Sequence, residues 1–213
     1  MNNQTGIVAI YGGAFDPIHL GHIKIALQVL AQPEISQLRL LPCYAHPNKS
    51  AMHSSATHRY NMLQLIAGDS LIVDRCELER ADNCYTADTA TYLRKALGND
   101  LPIAMLLGAD AYNEINDWYK ATELPSLLHL IVVARPGVKL YDSKSAWQRV
   151  QTLQEMSHRS AGNILFMSEP FINISSSQIR LMIAQGIQPR YLLPAVVWSY
   201  IKKNRLYHYR EVS

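Results

Sequence analysis

Cysteine is scarce: the 213-residue chain has three, Cys43, Cys76 and Cys84, none of them in a Cys-x-x-Cys pair. An odd number without that spacing argues against a disulfide framework and against a thiolate zinc module, and makes a reducing compartment the simpler expectation. Long apolar runs are missing as well. The opening Met1-Asn2-Asn3-Gln4-Thr5-Gly6 has no basic region, and the apolar run after it is too short for a signal core or a membrane span. A cytoplasmic protein without membrane partners is therefore expected. Clustered charge of one sign is absent too. Twenty Lys and Arg against 17 Asp and Glu leave a formal charge of +3, which suits anionic small molecules but lacks the density of a nucleic-acid binder. There is no internal repeat, no low-complexity linker, no Gly-Lys-Ser/Thr of a Walker A loop and no Gly-x-Gly-x-x-Gly. The length suits one domain over residues 1–213 with a substantial core.

What the chain does have is alternation of β-rich and helical patterns. Strands are expected at 7–11, 37–41, from 71, and at 103–107, 129–134 and 164–167, and the continuous apolar runs among them suit strands covered on both faces. Helices are expected at 23–30, 57–67, 86–97 (capped by Thr86 and Asp88), from Ile174 to Gly186, and from Pro194 to Lys203, with a weak helical pattern over 141–162. This order predicts an α/β Rossmann-like, doubly wound, mainly parallel sheet with helices on both faces and a small C-terminal helical portion. Ligands in such a sheet sit beyond the carboxyl ends of the strands, where the strand order reverses.

The densest stretch is Gly12-Gly13-Ala14-Phe15-Asp16-Pro17-Ile18-His19-Leu20-Gly21-His22, between the first strand and the first helix. A strand-to-helix turn directs backbone N–H groups and the positive end of a helix dipole at an anion, and glycine lets the anion approach the backbone. His19 and His22, three apart at a helix start, share a side and can both donate to one phosphate group. A bare His-x-x-His is more often a pair of packed or exposed histidines, and no third ligand lies at zinc spacing. Further along, Ile174-Ser175-Ser176-Ser177-Gln178-Ile179-Arg180 puts a guanidinium on the first turns of a helix beside its N–H groups and serine hydroxyls. The plain alternative is an N-capped helix with a surface arginine.

Taken whole, Gly-Gly-x-Phe-Asp-Pro-x-His-x-Gly-His resembles the signature of the HxGH nucleotidyltransferase superfamily, and Ile-Ser-Ser-Ser-x-x-Arg resembles its second signature. Arg59-Tyr60-Asn61-Met62-Leu63, Tyr85-Thr86-Ala87-Asp88-Thr89, Gly108-Ala109-Asp110, Trp118-Tyr119, Arg135-Pro136-Gly137 and Tyr191-Leu192-Leu193-Pro194 resemble, in order, blocks of the bacterial nicotinate-mononucleotide adenylyltransferases. The resemblance spans nearly the whole chain. It implies transfer of the adenylyl group of ATP to nicotinate mononucleotide, giving deamido-NAD and pyrophosphate in NAD biosynthesis, with Mg²⁺ carried by the polyphosphate.

It implies His19, His22 and Arg180 as catalytic residues. Gly12, Gly13, Phe15, Lys49, Gly108, Asp110, Arg135, Ile174, Ser175 and Ser176 fall on the ATP side, and Asp16, Tyr85, Thr86, Trp118 and Tyr119 on the acceptor side. Read alone, Trp118 is a core tryptophan and Asp110 a helix N-cap. The resemblance implies small-molecule partners only, ATP and nicotinate mononucleotide, and is compatible with a homo-oligomer. Nicotinamide mononucleotide or phosphopantetheine as acceptor, and a fold that binds nucleotide without turnover, stay open.

Three positions depart from the family pattern. Ala14 stands where the family has Thr or Ser, which predicts weaker phosphate binding or a substitute donor. His46-Pro47-Asn48-Lys49 replaces Pro-Pro-His-Lys/Arg, keeping the cation. Cys84 replaces a serine before Tyr85, with a weaker hydrogen bond expected.

Overall fold

The apolar runs become the inner strands of a parallel sheet. The computed structural model describes residues 6–44, 52–80, 84–134, 139–140, 146–167 and 174–210. The chain runs through β1 (Ile7–Gly13), α1 (Leu20–Leu30), β2 (Ile35–Pro42), α2 (Ala56–Gln64), β3 (Leu71–Val73), α3 (Cys76–Arg80), α4 (Thr86–Leu97), β4 (Ile103–Gly108), α5 (Ala109–Asn113) and α6 (Leu124–Leu127). It continues through β5 (His129–Val133), β6 (Gln148–Arg149), α7 (Leu153–Ser157), β7 (Asn163–Met167), α8 (Ser176–Ala184) and α9 (Ala195–Lys203). Among the described residues seven strands form one sheet in the order β3-β2-β1-β4-β5-β7-β6, and every pairing is parallel. The chain first winds outward from β1 to β3, then returns to the other side of β1 and winds the opposite way from β4. The reversal therefore falls between β1 and β4.

Side chains alternate between two cores, as the period of a strand requires. Ala9, Leu38, Leu40, Ala104, Leu106, Ile131 and Val133 pack beneath α1, α2, α8 and α9. Ile10, Ile103, Leu107, Leu130 and Val132 pack beneath α4, α5 and α6. The doubly wound fold with helices on both faces, and the helical C-terminal portion formed by α8 and α9, are as the sequence predicts.

Several local expectations are corrected. The helix expected over 57–67 stops at Gln64, because Leu65 becomes its C-cap and Gly68 N–H turns to the carbonyl of Leu71. The N-cap of α4 is Tyr85, without a side-chain cap bond, and Thr86 and Asp88 lie inside the first turn. The weak helical pattern over 141–162 is the short strand β6 and the single-turn helix α7, with 141–145 outside the described residues. The N-cap of α5 is Gly108, not Asp110. Among the described residues no helix is long and apolar enough to cross a membrane.

Candidate active site

A cavity of about 730 Å³ opens at the carboxyl ends of β1, β4 and β5 and against the start of α8, at the reversal of strand order. Its floor begins with the two glycines. A Cβ on Gly12 would meet no atom within 4 Å, so the missing side chain leaves open space above the backbone. A Cβ on Gly13 would lie 3.2 Å from Cζ of Phe15, whose ring is packed over it. Phe15 takes a left-handed backbone (φ 48°), a conformation unfavourable for a bulky L-residue, and buries its ring in the core. This turns the chain sharply from strand to helix and sets Phe15 edge-on to both Tyr11 (5.5 Å between ring centroids) and His22 (5.1 Å).

His19 and His22 come together as the spacing predicts. His19 is the N-cap of α1, and its Nδ1 accepts the backbone N–H of His22 at 3.4 Å. An accepting Nδ1 leaves Nε2 as the protonated nitrogen of the neutral ring. The two imidazoles stack, with centroids 3.7 Å apart and planes 21° from parallel, and both line the cavity. Stacking fixes both rings in one orientation, so little ordering remains to be done when an anion arrives.

On the facing side a capping box starts α8: Ser175 Oγ accepts from Gln178 N–H (3.2 Å), and Gln178 Oε1 accepts from Ser175 N–H (3.1 Å). The Ser176 hydroxyl donates to the carbonyl of Pro17 (2.9 Å). Both hydroxyls therefore have partners within the protein, and the backbone N–H groups at the start of α8 are what that helix offers an anion. Arg180 donates Nη1 to the backbone carbonyl of Asp16 (2.8 Å) and Nη2 to Ser177 Oγ (3.1 Å), and it lines the cavity. Gly108, Asp110 and Ile174 line it too.

Asp16 lines the cavity as well, and its carboxylate is tied into the protein. It is 2% exposed, and Oδ1 accepts from Ser54 Oγ (2.6 Å) and Tyr207 Oη (2.7 Å) while Oδ2 accepts from His53 N–H (2.7 Å). Burial and the neighbouring carboxylate push the Tyr207 hydroxyl well above its ordinary range, so it stays a donor. Arg59, 1% exposed, reaches beneath the same turn and donates Nη1 to the carbonyl of Ala14 (2.9 Å) and Nη2 to that of Tyr44 (3.2 Å). It ties the turn after β1 to the loop after β2.

Of the expected acceptor residues, Asp16 lines this cavity, whereas Tyr85, Thr86, Trp118 and Tyr119 are outside its lining. Tyr85 and Tyr119 pack at 4.7 Å between centroids, Lys120 sits over the Tyr119 ring, and Trp118 packs partly buried against the second core. Behind them Thr89 donates to the buried Glu77 (2.8 Å) and accepts from Arg80 (2.5 Å). Burial raises the Glu77 carboxyl above its usual range. The Cys84 sulfur accepts from the backbone N–H of Tyr44 (3.1 Å), so this departure keeps a hydrogen-bonding role. Lys49, Arg135 and the stretch His46-Pro47-Asn48 lie outside the described residues.

Several lining residues were not singled out in the sequence, among them Tyr11, Met52, His53, Leu107 and Val133. Leu107 and Val133 lie at the carboxyl ends of β4 and β5 and follow from the rule that ligands sit at strand ends. Met52 and His53 carry no local signal, since Asp16 brings them there. Among the described residues no three His, Cys, Asp or Glu side chains converge to hold a metal ion, and the buried carboxylate of Asp16 has its oxygens taken by protein donors.

The cytidylyltransferase-like family model matches residues 10–182. The probable nicotinate-nucleotide adenylyltransferase of Marinobacter nauticus is 40% identical over 211 residues, covering 96% of this chain and 98% of that protein. The corresponding protein of Hahella chejuensis is 35% identical, covering 94% and 95%. Among solved structures, a Plasmodium falciparum nicotinic acid mononucleotide adenylyltransferase complexed with NaAD superposes with a TM-score of 0.75 at 20% identity, covering 96% of this chain and 98% of that one, a likeness of fold. Sequence blocks, site geometry and near full-length relatives agree, and the chain belongs to the nicotinate-nucleotide adenylyltransferase family, within the cytidylyltransferase-like nucleotidyltransferases.

Proposed function

We propose that this enzyme transfers the adenylyl group of ATP to nicotinate mononucleotide. A 5′-phosphate oxygen of the mononucleotide bonds to the α-phosphorus of ATP, the bond from that phosphorus to the α–β bridging oxygen breaks, and pyrophosphate leaves with the bonding pair. The other product is nicotinate adenine dinucleotide, or deamido-NAD, an intermediate of NAD biosynthesis. No side-chain nucleophile takes part. The observation that carries the reading is the stacked His19–His22 pair in a cavity at the strand-order reversal, facing the start of α8 and Arg180. Both reactants are anionic, so the protein's work is alignment and the supply of preorganised donors where charge develops.

In this reading His19 and His22 donate to the α-phosphate and to its transition state. Arg180, the N–H groups at the start of α8 and Lys49 hold the triphosphate and the departing pyrophosphate. Gly12, Gly13 and Phe15 shape the floor, while Gly108, Asp110, Ile174 and Arg135 flank the adenosine. Tyr85, Thr86, Trp118 and Tyr119 receive the nicotinate ring and its carboxylate, the indole by stacking. Mg²⁺ belongs to the same proposal as an ion on the polyphosphate and water, where it offsets phosphate charge. A cytoplasmic setting is supported by the odd count of three cysteines without a Cys-x-x-Cys pair.

Replacing His22 by Ala tests the assignment. Turnover, measured as pyrophosphate release, should fall by about 100-fold or more, with the melting temperature little changed. Unchanged turnover contradicts the assignment.

A further inference from the structure

The last turn of the chain reaches into the catalytic turn. Tyr207 lies in the short turn Leu206–His208, and its hydroxyl donates to Asp16 Oδ1 at 2.7 Å across 191 residues of sequence. Asp16 shares that oxygen with Ser54 Oγ (2.6 Å) and takes His53 N–H on the other (2.7 Å). Asp16 and Tyr207 are both buried. Tyr207 and its neighbours Arg205 and His208 have positive φ, at 58°, 49° and 61°. Three consecutive-region residues in that conformation are unfavourable for L side chains, and such strain persists only where the surroundings over-determine it. Here the segment is packed against the core and its phenol reaches Asp16.

The backbone carbonyl of the same Asp16 accepts Arg180 Nη1 at 2.8 Å, and the next carbonyl, that of Pro17, accepts Ser176 Oγ at 2.9 Å. The carboxylate of Asp16 is thus held from below and its carbonyl holds Arg180 at the cavity wall. We propose that Tyr207 is a positioning residue for adenylyl transfer: through Asp16 it fixes the guanidinium of Arg180 where the ATP phosphates bind. Asp16 serves as the coupling element between the C-terminal turn and the triphosphate side. The inference rests on the proposed function for the role of Arg180.

The coupling is directional, which separates it from a general loosening of the fold. Arg180 lines the cavity assigned to ATP in the proposed function, while Tyr85, Trp118 and Tyr119 are outside its lining. Tyr207→Phe keeps the ring in the core and removes only the hydroxyl. Titration calorimetry with ATP and with nicotinate mononucleotide, on wild type and variant, reads the effect without needing turnover. ATP affinity should fall about tenfold, the size of one lost charge-oriented hydrogen bond, while mononucleotide affinity stays within twofold. Unchanged ATP affinity in a folded Tyr207→Phe, or an equal loss for both ligands, overturns the inference. Should that variant fail to fold, Ser54→Ala removes the other hydroxyl from the same carboxylate oxygen and is read by the same criteria. Failure of the functional reading is visible separately, as wild-type protein that releases no pyrophosphate from ATP and the mononucleotide.

Discussion

Gly12 and Gly13 are adjacent and do different work. Gly12 leaves space open to the cavity, whereas Gly13 lets the Phe15 ring lie against the backbone, 3.2 Å from where its Cβ would be. Gly12→Ala should therefore leave the melting temperature almost unchanged and weaken ATP about tenfold, because the new methyl group occupies ligand space. Gly13→Ala should cost about 1 kcal/mol of stability through crowding against Phe15, seen in denaturant unfolding. Matching effects in the two variants would contradict this division of labour. At this scale the sequence discloses residues whose chemistry is local, such as the histidine pair and the capping serine of α8. It does not disclose what Asp16 and Arg59 bond to, because their partners are remote. Asp16 meets Ser54 and Tyr207, and Arg59 meets the carbonyls of Ala14 and Tyr44. The carboxylate of Asp16 stands in a phosphate-binding signature, and its hydrogen bonds to remote residues appear only in the fold.

Strands β4 and β5 were legible because a strand buried on both faces is a continuous apolar run, and α8 because its capping serine precedes an apolar-periodic segment. Helix α3 was not, since its start depends on Asp74 Oδ1 accepting the N–H of Cys76 (2.9 Å) and its buried Glu77 depends on Thr89 from α4. The first residue of β5 shows a further cost of packing polar groups at strand ends. His129 is fully buried, with Nδ1 accepting from Asn163 N–H (3.0 Å) and Nε2 against the carbonyl of Arg159 (2.8 Å), so it joins β5 to the start of β7. Burial, with Arg94 and Arg159 nearby, lowers its pKa from 6.5 to about 4. The unfolded chain then takes up a proton below about pH 6.5 that the folded chain refuses until about pH 4. The stability from this group is full above 6.5 and is lost as pH falls toward 4, on the order of 3 kcal/mol over the window. Urea unfolding from pH 7.5 to 4.5 should show this loss, and His129→Gln should flatten it. An unchanged slope in that variant would place the acid sensitivity elsewhere.

For the whole molecule, the parallel sheet puts the turn after β1, catalytic in the proposed function, where two oppositely wound halves part. The first half supplies the turn after β1 and the second supplies the ends of β4 and β5, and α8 closes the cavity from the C-terminal portion. That portion adds Tyr207 beneath the turn, so residues from both ends of the chain converge on Asp16. The alternation of strands and helices made the architecture readable in advance, since each βαβ step has one favoured hand. Tyr85, Trp118 and Tyr119 are outside the lining of the cavity, and the proposed function divides choice of acceptor and activation of ATP along that line. The most direct test of this account is pyrophosphate release from ATP with nicotinate mononucleotide and, in parallel, nicotinamide mononucleotide as acceptor. The account predicts turnover with a kcat/KM for the acid at least tenfold above that for the amide, whereas equal rates or a preference for the amide would contradict it.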